Sequence, residues 1–223
     1  MREDLEQQEQ MAALKAFWGT YGKLISLTLS MIILVSASFT AWDFYKQSRL
    51  KKASELLLSL EQNIENQKIE SAILIIDELE KSFPNFLQRG LGGLILSKAL
   101  VFDDRKDDAE VQLRKLINHK DLGIYWVARI RLAGLLLDMN KPAEAIDILP
   151  ESSPENWSGI VNDRRGDVFL ALGKKDNARG AWIKALEAYS KDSADIQATK
   201  MVERKIATIN SLQLPDSDSK DKK

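Results

Sequence analysis

The residue types that carry out enzyme chemistry are scarce in this chain of 223 residues. It has no cysteine, which excludes disulfides, thiolate metal ligands, cysteine nucleophiles and the lipidated cysteine of a bacterial lipoprotein. His119 is its single histidine, so three-histidine zinc sites and paired-histidine metalloprotease motifs are excluded as well. No serine or cysteine stands near His119, and at a helix end its imidazole can bond the last carbonyl groups instead. The sequence therefore predicts a protein that is not an enzyme and that uses no metal or cofactor.

Three further patterns suggest chemical sites but fit them poorly. Residues 90–93 (GLGG) lack the preceding strand and the following Lys-Ser or Lys-Thr of a phosphate loop, so close helix packing is the better interpretation. The acidic run at residues 103–108 lacks the central glycine and final glutamate of an EF-hand, and a solvated turn before a helix explains it better. An enzyme would have to use Asp163 or Asp167 as an acid, in a polar pocket that strongly perturbs the carboxylate.

The first element that must be placed is an uncharged apolar stretch at residues 24–42 (LISLTLSMIILVSASFTAW). Its length is about what a helix needs to cross roughly 30 Å of hydrocarbon. Aromatic residues flank it on both sides, where amphipathic rings sit at the level of the lipid headgroups. These residues are Phe17, Trp18, Tyr21, Phe39, Trp42, Phe44 and Tyr45. We predict a transmembrane helix over residues 24–45, preceded by an N-terminal tail at residues 1–23.

Two other interpretations of this stretch remain open. A core helix of a soluble domain would normally show a polar face, whereas here only scattered serine and threonine interrupt the apolar run. A cleaved signal peptide would need a short basic leader and a small-x-small cleavage site. Residues 35–37 loosely offer such a site, but the leader is 23 residues long and carries four acidic residues. A retained signal anchor is therefore favoured.

The charges beside the span favour one orientation in the membrane. Lys15 and Lys23 precede the span, whereas four basic residues follow it at positions 46, 49, 51 and 52. Counting by the positive-inside rule places the C-terminal part in the cytoplasm. An excess of two residues decides this orientation.

The rest of the chain shows the apolar spacing of short helices, and it repeats. Neither glycine nor proline occurs between Gly22 and Pro84, so the membrane helix is predicted to run on to a first turn near Asn66. Further breakers fall at residues 103–104, 140–142 and 173. After each turn an alanine is followed four residues later by a large apolar residue; these alanines are Ala72, Ala109, Ala145 and Ala178, spaced 37, 36 and 33 residues apart.

Small residues at a second fixed position complete the pattern. Twelve residues before each alanine stand Leu60, Ser97, Ala133 and Gly166, and three of these four are small enough to let two helices approach closely. This is the pattern of tetratricopeptide repeats, in which helix pairs stack into a solenoid. The predicted fold is all-α, with a tetratricopeptide-repeat-like domain at residues 46–210. Its last helix, at residues 193–210, caps the stack, and residues 211–223 form a disordered tail.

The surface of this solenoid offers a partner site rather than a catalytic one. If the stack follows the usual curvature, first-helix residues on the concave side include Lys98, Ile130, Gly134, Asp163 and Asp167, which we predict to contact a partner protein. Lys and Arg number 32 against 33 Asp and Glu, so a net charge of −1 provides no general attraction to nucleic acid. Neither a nucleic acid nor a small-molecule substrate is expected.

The sequence resembles the bacterial ancillary SecYEG translocon subunits, the YfgM-like proteins. The likeness runs through residues 17–23 (FWGTYGK), the apolar stretch, residues 129–136 (RIRLAGLL) and residues 165–173 (RGDVFLALG), and it covers most of residues 10–190. The resemblance implies a bacterial inner-membrane protein with a short cytoplasmic tail, one membrane helix and a periplasmic tetratricopeptide-like domain. It also implies binding at the translocon and cooperation with periplasmic chaperones, without catalysis.

The implied orientation opposes the flanking charges. We follow the resemblance, because long domains translocate largely regardless of the charges beside the span. The alternative is a membrane-anchored scaffold that faces the cytoplasm and has no connection with export.

Overall fold

The computed structural model describes residues 2–191 and 196–211, with side chains from Gln7 onward. Within these residues all regular secondary structure is α-helical, which confirms the predicted all-α class. The helices are α1 (Arg2–Glu65), α2 (Ile69–Ser82), α3 (Leu87–Phe102), α4 (Lys106–Arg114), α5 (Leu122–Asp138), α6 (Pro142–Ile148), α7 (Glu155–Ala171), α8 (Lys175–Lys191) and α9 (Ile196–Ser211). Residues 193–195 of the predicted capping helix and residues 212–223 of the predicted tail lie outside the described residues.

The chain divides into two compact units, Met1–Lys52 and Ala53–Lys223. The first unit is the N-terminal part of α1. Of the described helices, this one is long and apolar enough to cross a membrane, and none of its most apolar window is buried by the rest of the chain. That exposure argues against the core-helix interpretation. The hydroxyl groups of Thr20, Ser26, Thr28, Ser38 and Thr40 donate to carbonyl oxygens one turn earlier in the same helix, so these polar groups are satisfied without water.

The second unit stacks helix pairs joined by one recurring turn. A single residue with a left-handed backbone stands in each turn, namely Gln67, Asp104, Asn140 and Gly173, with φ of 58°, 59°, 58° and 74°. The next backbone N–H reaches back to a carbonyl five residues earlier, as in the bond of 2.7 Å from Lys141 to Leu136. This closing bond satisfies a carbonyl at the end of the first helix. Each of the four residues precedes a repeat alanine by five positions.

The predicted small positions lie where helices meet. Residues Ala72, Ala109, Ala133, Ala145, Gly166 and Ala178 are all buried. A Cβ atom added at Gly166 would overlap the Trp182 indole, so a glycine is required for α7 and α8 to pack at this distance. The main core runs from Ala53 to Val168, and a second cluster surrounds Trp182. Val202 and Ile209 of α9 are buried in the second cluster, which places α9 over the end of the stack.

Candidate partner-binding groove

The first helices of successive pairs, α3, α5 and α7, border a groove of about 440 Å³. A side chain of α5 reaches the backbone of α3 here, since Arg131 Nη1 donates to the Leu94 carbonyl oxygen at 3.1 Å. We call this feature the α3–α5–α7 groove. Its lining residues are Ser97, Lys98, Val101, Phe102, Leu113, Arg131, Gly134, Leu135, Asp138 and Arg164.

Phe102 is the most exposed large apolar residue of this groove. It ends α3, and 81% of its surface is accessible. The Lys98 ammonium lies 5.7 Å from the centroid of its ring, one helical turn earlier. An exposed aromatic ring beside a cation is the kind of anchor that dominates the energy of protein interfaces.

Gly134 allows a cation to lie against the floor of the groove. A Cβ atom at this position would come within 3.3 Å of Arg164 Cζ, so the glycine leaves room for the guanidinium against α5. Arg164 Nη1 also lies 3.5 Å from Asp167 Oδ2 on its own helix. Lys98, Arg131 and Arg164 thus line the groove together with the carboxylate of Asp138, and one of these three cations, Arg164, also pairs with Asp167.

The two predicted acidic residues face α9 rather than the groove. Lys205 of α9 donates to Asp163 Oδ1 and to Asp167 Oδ1, each at 2.7 Å. Burial raises the pKa of Asp163, and the neighbouring Asp167 carboxylate adds to this effect, whereas Lys205 opposes it. Both carboxylates therefore hold α9 on the stack.

The five predicted contact residues thus occupy three different environments. Lys98 and Gly134 line the groove, and Asp163 and Asp167 are bonded to α9. Ile130 has 6% of its surface exposed and belongs to the main core, which leaves it little surface to offer a partner. As a partner-binding set, these five residues stay a prediction.

Sequence reasoning missed Phe102 and Lys205. Phe102 stands immediately before the acidic turn, at the end of a helix. No helical residue follows it there to cover the ring, so its position in the sequence could have indicated that the ring is exposed. Lys205 lies on the face of α9 that the sequence pattern marks as polar. No local signal shows that the ammonium meets carboxylates 38 and 42 positions earlier.

Two arginines, the partly buried Arg129 and the buried Arg165, serve the connections between helices. Arg129 donates to the carbonyl oxygens of Ile117 and Ile148, at 3.1 and 2.6 Å. Arg165 donates to the Leu149 carbonyl at 2.6 Å, and burial lowers its pKa. These groups satisfy carbonyls where α4 and α6 give way to connecting segments, as helix ends require.

The motifs considered first for chemistry have structural roles. Gly90 packs against Ile124 and His119, and Gly93 packs against Leu116, so the glycine run admits close neighbours. The His119 Nδ1 atom accepts a hydrogen bond from the Asp121 backbone N–H at 3.1 Å, rather than capping helix carbonyls. Burial lowers the pKa of His119, and the nearby Arg89 charge lowers it further. Among the described residues, no cluster of three or more His, Asp or Glu side chains could hold a metal ion.

The chain is similar to known proteins over most of its length. A family model described as a tetratricopeptide repeat-like domain matches residues 15–211. The chain is similar to a protein of Neisseria gonorrhoeae (strain ATCC 700825 / FA 1090) named ancillary SecYEG translocon subunit, with 27% identity over 90% of this chain and 97% of the relative. A relative of the same name from Escherichia coli (strain K12) is 26% identical over 92% of this chain and 97% of its own length. Another, from Buchnera aphidicola subsp. Schizaphis graminum (strain Sg), is 26% identical over 73% and 86%.

Proposed function

The chain belongs to the tetratricopeptide repeat-like domain family, and from this premise we propose that it is a membrane-anchored protein-interaction subunit associated with the SecYEG translocon. Its role is to hold other proteins near the export channel, without catalysis. Solenoids of this family bind through broad surfaces made of successive helices.

One observation carries the proposal. Relatives that share the name ancillary SecYEG translocon subunit align with 90% and 92% of this chain, so the likeness includes the apolar N-terminal helix as well as the repeats. A solenoid matched alone would leave the place of action open, because the same fold serves many unrelated partners. Alignment through the membrane helix ties the likeness to a membrane assembly.

The proposed arrangement is a single-pass protein of the bacterial inner membrane. Residues 1–23 are cytoplasmic, residues 24–45 span the bilayer, and the tetratricopeptide-like domain at residues 46–210 faces the periplasm. The apolar length of α1 supports the span. The names of the relatives support the translocon as the place of action.

Periplasmic chaperones are the proposed partners of the α3–α5–α7 groove. Phe102 offers an exposed anchor there, and the cations of the groove suit a segment that combines apolar and acidic side chains. Binding both the channel and a chaperone would bring the chaperone to a polypeptide as it emerges.

Crosslinking from the groove tests this partner assignment. A photoreactive amino acid at Phe102 is expected to capture a periplasmic chaperone, whereas the same amino acid at Leu74 on α2, which is 70% exposed, is the matched control. Co-purification of SecYEG with the full-length protein from detergent extracts tests the translocon assignment separately. Recovery of cytosolic complexes alone would contradict both.

The basic residues after the span favour a second candidate, a scaffold that faces the cytoplasm and is unconnected with export. Protease added to intact spheroplasts separates the two candidates. A periplasmic domain is digested, whereas a cytoplasmic domain survives until the membrane is opened.

A further inference from the structure

One face of α1, at the C-terminal end of the apolar stretch, carries two aromatic rings and three cations. At about 100° of rotation per residue, the five side chains fall within about a third of the helix circumference. They are Trp42, Tyr45, Lys46, Arg49 and Lys52. We call this feature the aromatic–basic face. It lies wholly within the first compact unit of the chain.

Two of the three cations of this face lie over its rings. Lys46 Nζ lies 5.8 Å from the centroid of the Trp42 ring, and Arg49 Cζ lies 5.9 Å from that of Tyr45. Arg49 Nη1 also donates to the Tyr45 hydroxyl oxygen at 3.2 Å. Trp42 and Tyr45 are 58% and 52% exposed. Each ring is therefore a partly exposed apolar surface with a positive charge beside it.

The acidic residue of this part of the first unit lies off the face. Asp43 lies about 120° around the helix from the centre of the aromatic–basic face. Lys51 lies off the face as well, on the opposite side of the helix. The face thus groups its positive charges at one end of a 19-residue apolar run, at residues 24–42.

We propose that the aromatic–basic face binds the headgroups of anionic phospholipids. The proposal rests on the membrane span of the proposed function, but it adds a ligand that the span alone does not require. Trp42 and Tyr45 lie where aromatic rings meet the headgroup region, and Lys46 and Arg49 can reach a lipid phosphate there. The Arg49 guanidinium offers paired donors suited to phosphate oxygens.

This ligand gives the basic residues after the span a role that is independent of topology. Three of the four charges that favour a cytoplasmic domain by counting, Lys46, Arg49 and Lys52, serve here to hold lipid, on whichever side of the membrane the domain lies. Attraction of a basic side chain to an anionic lipid surface corresponds to about a fivefold change in affinity per charge.

Lipid binding to the full-length protein tests the proposal. The protein in neutral detergent is titrated with phosphatidylglycerol or with phosphatidylcholine of the same acyl chains, and bound lipid is counted by native mass spectrometry. We expect phosphatidylglycerol to be retained preferentially. Arg49→Gln should weaken its binding about fivefold, and the triple variant Lys46→Gln, Arg49→Gln, Lys52→Gln should abolish the preference.

Lys51→Gln is the matched control, because it removes one charge from the same turn but off the aromatic–basic face. An equal loss in Lys51→Gln and Arg49→Gln would overturn the proposal, as would an unchanged preference in the triple variant. Competition by free glycerol phosphate at the concentration of the lipid would overturn the assignment to a membrane lipid. Extraction of isolated membranes at alkaline pH keeps the two proposals apart: a protein that stays integral but shows no preference contradicts this inference alone, and a protein that is extracted contradicts the span.

Discussion

Two glycines in neighbouring helices separate the effect of packing from that of helix propensity. At Gly166 of α7 an added Cβ would overlap the Trp182 indole, whereas at Gly180 of α8 it would meet nothing within 4 Å. Gly166→Ala is therefore expected to lower the free energy of unfolding by about 1–3 kcal/mol. Gly180→Ala is expected to raise it by about 0.5–1 kcal/mol, since alanine is the better helix former. Urea denaturation of both variants measures the two values, and a loss of stability in Gly180→Ala would contradict this account.

His119 is expected to make stability depend on pH in the weakly acidic range. Its pKa is lowered by burial and by Arg89, so the unfolded chain binds the proton more readily than the folded one. Its contribution is full above the ordinary pKa of 6.5 and is lost as the pH falls through the lowered value in the folded protein. Free energies of unfolding measured across this range should decline more steeply in the wild type than in His119→Gln. Parallel pH profiles for the two proteins would show that the imidazole is not responsible.

At the scale of the elements, the recurring left-handed turn fixes the repeat. Gly173 joins α7 to α8 with φ +74°, a conformation that a side chain with a Cβ adopts at a cost. Gly173→Ala should therefore lower the melting temperature, with a loss of about 1 kcal/mol or more. Gly173→Asn should lose less, because asparagine tolerates this backbone region and already occupies it at Asn140. Equal losses in both variants would argue against backbone strain as the cause.

The same elements show what the sequence could predict. The alanine spacing of 37, 36 and 33 residues is also the spacing of the left-handed residues, because both belong to one helix–turn–helix unit repeated along the chain. The first turn, predicted near Asn66, follows the end of α1 at Glu65. Periodic features of this kind depend on residues that are close together in the sequence. The all-α, tetratricopeptide-like class could therefore be predicted from them.

The candidate site could be predicted only in part, since it depends on contacts between distant segments. The expectation that Lys98 and Gly134 share one face of the first helices follows from the repeat, and both line the groove. Asp163 and Asp167 share the same helix face by sequence, but α9 returns to cover them through Lys205. The path of a terminal helix is set by which apolar surface remains uncovered, here the cluster around Trp182, and no local pattern contains that information.

At the scale of the whole molecule, the two units divide the work of association between them. In the proposed function, the solenoid supplies a specific surface, and the apolar helix confines it to the bilayer that holds the translocon. Confinement raises the effective concentration of two partners without adding a contact, with gains in avidity of about 10²–10⁴. The anchor is therefore expected to contribute to binding itself rather than merely to location.

Removal of residues 1–45 tests this division. The cut leaves Ala53 and Leu60, which are both fully buried in the main core, so the remaining domain should stay folded, with the helical circular dichroism and cooperative melting of an intact stack. Its recovery of SecYEG in pull-downs should nonetheless fall by about 10²-fold or more relative to the full-length protein. If the freed domain unfolds, the test is made with the same domain anchored through an unrelated membrane helix. This protein restores confinement to the membrane and keeps the solenoid unchanged. Recovery at the full-length level by the freed domain would show that its own surface is sufficient, and failure of the re-anchored domain would assign the contact to the native apolar helix.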